Sequence, residues 1–368
     1  MKIGLVKEIK VHEYRVGLTP DDVAVYVNNG HTVFVEIDAG IGAGFENEEY
    51  VKAGGTIVED KQKLFDDSEM IVKVKEPLPQ EYDFFHKGQI LYTYLHIAAD
   101  KPQAEMLLAK KVKAVAYETI TSAEGGLPCL TPMSEIAGRL AAQEGAKYLE
   151  KPFGGRGVLL GGVPGVQKGN VVIIGGGIVG LNACKMCVGL GANVTVMDIS
   201  ASRLAYYDDL FGSKVNTLFS NRSNILKSIK EADLVIGAVL IPGAAAPKLI
   251  SKDDLKLMKK NAVVVDVAID QGGCFETSKA TYHDNPTYVV NDVLHYCVAN
   301  MPGAVSLTST LALTATTLRH GLAIANKGLD KALADDKHLL NGLNTYDGKL
   351  TNEAVAKSLN IAYEPVNF

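Results

Sequence analysis

Three glycines in one short stretch carry the clearest chemical signal in this sequence. Gly175, Gly177 and Gly180 fall at the spacing G-x-G-x-x-G inside Val171-Val172-Ile173-Ile174-Gly175-Gly176-Gly177-Ile178-Val179-Gly180. The pattern is weak alone. Here it follows a β-branched run and opens an apolar, small-residue helix, and Asp198 ends the next strand-like run roughly 20 residues on, the order a dinucleotide fold requires. Gly175 permits a tight turn. Gly177 removes a side chain so that backbone N–H groups can approach a pyrophosphate, and Gly180 lets the helix lie close on the sheet. The helix N-terminus adds unsatisfied donors and partial positive charge. Asp198 can accept from adenosine ribose hydroxyls and would repel a 2′-phosphate, which predicts NAD over NADP. Arg203 is open: it can stack on adenine, tolerate a phosphate or be a solvated helix residue.

A second loop runs from Ala262-Val263-Val264-Val265-Asp266 into Val267-Ala268-Ile269-Asp270-Gln271-Gly272-Gly273. Ligands of doubly wound sheets lie beyond the carboxyl ends of strands, so Asp266 and Asp270 are expected near a nicotinamide, with an ordinary polar turn as the alternative. Leu240-Ile241-Pro242-Gly243 is similarly placed. In the first third, Arg15 precedes a helix, while Lys75 and His96 each end an apolar run. The last two should share one rim of a parallel sheet, facing a cofactor domain across a cleft. A solvated lysine and a structural histidine are the competing readings. The histidines show no metal spacing, and nothing suggests Ser-His-Asp chemistry.

These residues need elements to hold them. With 368 residues, 47% apolar and 21% charged, the chain has material for two domains, possibly three, of a soluble globular protein. A net charge of −5 argues against a nucleic-acid or anionic-membrane partner. Five cysteines form no disulfide framework and point to reduced thiols in a cytosolic compartment. The Cys184/Cys187 pair, placed in the first turns of a helix, reads as small core residues rather than a zinc or redox site. No apolar signal core opens the chain. The uncharged stretch between Asp292 and Arg319 is long enough to cross a bilayer, but its His, Asn, Pro, Ser and Thr content favours a turn and a buried helix.

Strands are expected at Lys2–Val6, Thr32–Glu36, Thr56–Glu59, Met70–Lys75, Gln89–Leu95 and Val112–Tyr117. Thr19 is the N-cap and Pro20 the first residue of a helix. A helix runs from Thr131 to about Leu149, and Gly154–Gly169 is an irregular connection. A second series has strands at Asn170–Ile174, Asn193–Met197, Leu234–Val239 and Ala262–Val267. Their continuous Val/Ile runs suit strands covered on both faces. A Thr-rich helix, Leu307–Asn326, and a helix near Thr351 finish the chain.

Met1-Lys2-Ile3-Gly4-Leu5-Val6-Lys7-Glu8, Arg15-Val16-Gly17-Leu18-Thr19-Pro20, Val74-Lys75-Glu76-Pro77, Tyr94-Leu95-His96, Pro132-Met133-Ser134-Glu135-Ile136-Ala137-Gly138, the glycine turn and Asp266–Gly273 together resemble alanine dehydrogenases over essentially the whole chain. The resemblance implies two Rossmann-like α/β domains with parallel, doubly wound sheets and a cleft between them. The substrate domain would be 1–130 plus 307–368, and the NAD domain 131–306. It implies reversible, NAD-dependent deamination of L-alanine to pyruvate and ammonium by a cytoplasmic homohexamer. Arg15 and Lys75 would bind substrate, with His96 and Asp270 catalytic. Cofactor contacts would be Ser134, Gly175, Gly177, Ile178, Val179, Gly180, Asp198, Arg203, Ser220, Val239, Leu240, Val267, Ala268, Ile269, Asp270, Lys279, Val298, Ala299, Asn300 and Met301. No metal is implied. The nucleotide-binding part of proton-translocating transhydrogenase and the saccharopine-type dehydrogenases share the architecture and are the alternatives. A docking module would not need Arg15, Lys75 and His96.

Overall fold

The computed structural model describes residues 1–239 and 246–368. In chain order its strands are β1 (Lys2–Leu5), β2 (Thr32–Glu36), β3 (Thr56–Val58), β4 (Met70–Val72), β5 (Ile90–Thr93), β6 (Lys113–Ala116), β7 (Asn170–Ile174) and β8 (Asn193–Asp198). Next come β9 (Val215–Phe219), β10 (Leu234–Gly237), β11 (Val263–Asp266), β12 (Thr287–Val290), β13 (Val293–Tyr296), β14 (Leu343–Tyr346) and β15 (Lys349–Leu350). The chain divides into two compact units, Met1–Met133 with Gly303–Phe368, and Ser134–Pro302.

The first unit holds the sheet β15-β14-β6-β5-β4-β1-β2-β3. From β3 to β6 it is parallel, and β14 and β15 add an antiparallel edge. Chain order reverses between β1 and β4, which makes their carboxyl ends the switch point where loops diverge to opposite faces. Ile71, Leu91, Leu64, Phe65 and Leu107 are among the buried residues of its core. The helix Pro20–Asn28 starts as its sequence dictates. Thr19 Oγ1 accepts from Asp22 N (3.2 Å), the Asp22 carboxylate accepts in turn from Thr19 N (2.7 Å), and Pro20 sits in the first turn.

The second unit holds β12-β13-β11-β10-β7-β8-β9. It is parallel from β9 to β13, with β12 antiparallel at the edge. Its switch point lies between β7 and β10. Val172, Ile174, Val235 and Val264 pack in the core on one face, with Ile225, Ile229 and Phe275.

Both sheets are therefore mixed rather than wholly parallel. The expected strand Met70–Lys75 ends at Val72, because the N–H groups of Val74 and Lys75 turn to the Glu8 carboxylate. Cys184 and Cys187 lie beyond the first turn of the helix Ile178–Gly189, fully buried, and burial pushes both thiols up to about 12. The uncharged stretch after Asp292 becomes β13, a 3₁₀ turn and the first half of the helix Ser306–Lys327. Among the described residues no helix is long and apolar enough to cross a membrane.

Candidate active site

The glycine turn leaves the carboxyl end of β7 at the switch point of the second unit. Gly175 has φ +105°, and a Cβ there would lie 2.5 Å from the Ala238 carbonyl oxygen. At Gly180 a Cβ would lie 1.9 Å from the Gly175 carbonyl oxygen, so only glycine lets the helix Ile178–Gly189 approach the strand. Gly177 is different. It is exposed, its φ of −67° suits any residue, and a Cβ would meet nothing within 4 Å. Packing does not require glycine at 177; the space a Cβ would fill is where a pyrophosphate would approach the helix N-terminus. The residues thus fit a dinucleotide.

Asp198, at the end of β8, accepts from Gly176 N (2.6 Å) with one carboxylate oxygen and from Ser200 N (2.8 Å) with the other. A carboxylate has about four lone-pair sites, so acceptor capacity remains for ribose hydroxyls. Arg203 donates through Nε to the Gly176 carbonyl and lies over the Tyr206 ring at 5.0 Å. Asp198 and Arg203 thus take the two backbone groups of Gly176, its N–H and its carbonyl. Ser220 N bonds back to the Asp198 carbonyl (2.9 Å), which keeps the β9 end beside it.

The Asp266 loop leaves the carboxyl end of β11. Asp266 is fully buried and accepts from Ala268 N (3.1 Å), Cys274 N (2.7 Å) and Ser278 Oγ (2.5 Å). Burial raises its carboxyl above the usual range, and these donors work against that rise. Asp270 is exposed on the 3₁₀ turn Val267–Gln271, with Ala268 and Ile269 buried beneath it and Val267 half-buried. The two aspartates are therefore not equivalent. Asp266 is spent on the loop, and Asp270 is open to a ligand. Gln271, not singled out by the sequence reading, keeps Oε1 buried with no hydrogen-bond partner among the described residues, an acceptor suited to an N–H-bearing ligand.

Of the remaining expected cofactor contacts, Ile178 is exposed and Val179 half-buried at the first helical turn. Ser134 is half-buried in the helix Thr131–Tyr148. Val239 follows β10 at the switch point; Leu240 lies outside the described residues. Lys279 is exposed, with its N–H donating to Tyr288 Oη (2.8 Å). Val298 is buried, Ala299 N donates to the Thr281 carbonyl (3.0 Å), Asn300 has φ +59° and Met301 opens a 3₁₀ turn.

In the first unit Arg15, Lys75 and His96 all lie on loops past the carboxyl ends of β1, β4 and β5, neighbours around the switch point. Arg15 is buried. Its Nε and Nη2 pair with the two carboxylate oxygens of Glu13 (2.7 and 2.6 Å), and Nη1 faces Met133 Sδ (3.1 Å). Burial opposes its charge, but Glu13 more than offsets this and holds the guanidinium above its ordinary range. Lys75 is the reverse case: burial and the nearby Arg15 charge push its ammonium below the ordinary lysine value.

His96 is exposed and left-handed, with φ +47°. Its N–H donates to Glu118 Oε1 (2.6 Å), and its ring stacks on Tyr94 at 5.8 Å and 11°. Beneath Lys75, the fully buried Lys73 Nζ meets Glu81 (3.0 Å) and Glu8 (3.3 Å). The other Glu8 oxygen accepts from Val74 N (2.6 Å) and Lys75 N (3.2 Å). Glu8, Glu13, Lys73 and Glu118 are the positioning groups that sequence reasoning missed. A lysine inside a strand run was a signal, since it cannot be buried without a carboxylate. Among the described residues no cluster could hold a metal ion.

Two family models span the chain: the N-terminal domain of alanine dehydrogenase/PNT over residues 4–137 and its C-terminal domain over residues 141–353. The chain belongs to the alanine dehydrogenase/PNT family. It is 56% identical over 366 residues to an alanine dehydrogenase of Methanococcus maripaludis, covering 99% of this chain and 98% of that protein. With an alanine dehydrogenase of Bacillus subtilis the identity is 57% over 366 residues, covering 99% and 96%. A solved L-alanine dehydrogenase superposes with a TM-score of 0.95 at 52% identity, over 98% of this chain and 99% of that one. A transhydrogenase structure from Sinorhizobium meliloti has a TM-score of 0.82 at 21% identity over 96% and 100%, a likeness of fold. Family membership makes the chain an oxidoreductase, and the fold with its glycine turn implies a nicotinamide dinucleotide.

Proposed function

We propose that this enzyme interconverts L-alanine and NAD with pyruvate, ammonium and NADH. The observation that carries the reading is the identity of more than half the residues, over essentially the full length, with alanine dehydrogenases. Alanine is a zwitterion, and the first unit offers its carboxylate the Arg15 guanidinium and the Lys75 ammonium. Glu13 fixes the plane of the guanidinium, so the cation is aimed before substrate arrives. Bound NAD would supply the hydride acceptor. The second unit would hold it through the backbone at Gly175–Gly180 and through Asp198, whose charge disfavours a 2′-phosphate.

Loss of hydride from Cα leaves an iminium, which water attacks as ammonia departs. His96 moves the protons of that exchange, a service worth about 10²–10⁴ in rate, since an imidazole can both take up and release a proton near neutral pH. Asp270 holds the water or offsets the positive charge of the iminium. The family resemblance further assigns the working form as a cytoplasmic homohexamer, which sedimentation of the purified protein would check.

Purified protein incubated with L-alanine and NAD is expected to yield NADH and pyruvate in equal amounts. Turnover confined to exchange between two nucleotides would assign it to the transhydrogenase-like reading. Turnover of a larger amino acid in preference to alanine would assign it to the saccharopine-type reading.

A further inference from the structure

Two residues past Asp270 the loop carries two glycines, whose N–H groups close the turn on the Ile269 and Ala268 carbonyls (2.9 and 3.0 Å). Gly272 and Gly273 are consecutive left-handed residues, with φ +89° and +80°. Two adjacent glycines give a chain its widest conformational freedom, a poor mount for a group that must meet a substrate. The loop is nevertheless held from two sides. From inside, the buried Asp266 carboxylate takes the N–H groups of Ala268, Cys274 and Phe275 and the Ser278 hydroxyl. Its wrapping depends on glycine at 273, where a Cβ would lie 2.4 Å from Asp266 Oδ2. From outside, a single ammonium does the complementary task. Lys248 Nζ donates to the carbonyls of Gly272, Gly273 (2.9 Å) and Phe275 (3.1 Å). Its three N–H donors match three acceptors. The segment around it adds Ala246 N to the Gln271 carbonyl (2.9 Å) and Leu249 N to the Cys274 carbonyl (2.8 Å).

The geometry points to Lys248 as a positioning residue: its ammonium locks the Gly272-Gly273 backbone and thereby fixes Asp270 where the reaction needs it. The inference rests on the role given to Asp270 above. Lys248 touches neither substrate nor cofactor in this account and acts only through the loop. Misplacing a reacting group by about 1 Å costs on the order of 100-fold in rate, so partial loosening should cost about tenfold or more.

The test is a double-mutant cycle on the full-length enzyme, reading kcat for alanine oxidation, NADH affinity by fluorescence and the melting temperature. Lys248→Met keeps the aliphatic stem and removes the donors. It is expected to lower kcat about tenfold with melting temperature close to wild type and any loss of NADH affinity smaller than the loss in kcat, and Lys248→Arg should recover part of the loss. Added to Asp270→Asn, Lys248→Met should change residual turnover less than twofold, because the group it positions is already disabled. A wild-type kcat in Lys248→Met, with Asp270→Asn impaired, overturns the brace and leaves the role of Asp270 standing. An equal tenfold loss in the Asp270→Asn background also overturns it, since Lys248 would then act elsewhere. Wild-type turnover in Asp270→Asn removes the role of Asp270 itself, and the brace with it.

Discussion

The two sheets share one strand order and differ in what stands at the point where that order reverses. In the second unit β9-β8-β7-β10-β11-β13 brings a glycine turn to the gap after β7, and under the proposed function the backbone itself would be the binding surface. In the first unit β3-β2-β1-β4-β5-β6 repeats the arrangement, yet the loops after β1, β4 and β5 carry Glu8, Arg15, Lys73, Lys75 and His96. A switch point supplies a crevice and diverging loops whatever the ligand. Residue type then decides the chemistry. Small residues expose N–H donors to a diffuse, doubly charged pyrophosphate. Paired cations and carboxylates suit a small ligand bearing both signs.

The comparison can be broken most decisively at the charged switch point. His96→Ala is expected to lower turnover by about 10²–10⁴ while leaving NADH affinity, measured by fluorescence, near wild type. Near-normal turnover would remove the proton-moving role from the first unit. The glycine turn offers the next test, with two neighbours predicted to behave oppositely. Gly177→Ala should melt like wild type, because its Cβ meets nothing, yet weaken dinucleotide binding about tenfold, roughly 1.4 kcal/mol. Gly180→Ala should lose about 1–3 kcal/mol of stability from overpacking, read by denaturant titration, because its Cβ meets the Gly175 carbonyl oxygen. Equal behaviour of the two would mean that packing alone explains the motif.

A subtler contrast comes from pH. Lys75 is held below its ordinary value by burial and by Arg15. As pH rises it therefore loses its charge before an ordinary lysine, with a pKa of about 10.4, would do so. Pyruvate affinity in the NADH complex should fall in that alkaline range. Lys75→Arg, which stays charged there, should hold its affinity to higher pH; an unchanged profile would mean that another group titrates. The smallest effect is expected at Asp198. Asp198→Ala should relax the preference for NAD over NADP about tenfold or less, on the order of 1 kcal/mol, measured as the ratio of kcat/KM for the two cofactors. An unchanged ratio would move the selection elsewhere.

Much of the fold is legible in residue pattern. The β-branched runs, the Thr19-Pro20 helix start and the glycine turn each carry a local physical reason. The antiparallel edges were legible too and were missed. Asn291-Asp292 joins β12 to β13 as a two-residue hairpin with φ +49° and +61°, and Asp347-Gly348 joins β14 to β15 with φ +51° and +87°. Both dipeptides suit a turn that needs positive φ at its two central positions. At the candidate site, charge type and strand-end position could be read along the chain. What could not be read is which carboxylate each cation meets. Glu13 is local to Arg15, but Glu8 reaches Lys73 and Val74 from the loop after β1, and Glu118 reaches His96 from beyond β6. Those pairings exist only once the strands are side by side.

The left-handed backbone at His96 sets stability against activity at one position. A side chain held there costs on the order of 1–2 kcal/mol, and glycine would not bear that cost. His96→Gly should therefore melt above His96→Ala. On the proton-moving role proposed for His96, selection for heat resistance alone would push residue 96 toward a sturdier, inert protein, and the imidazole would persist only while turnover is what is selected.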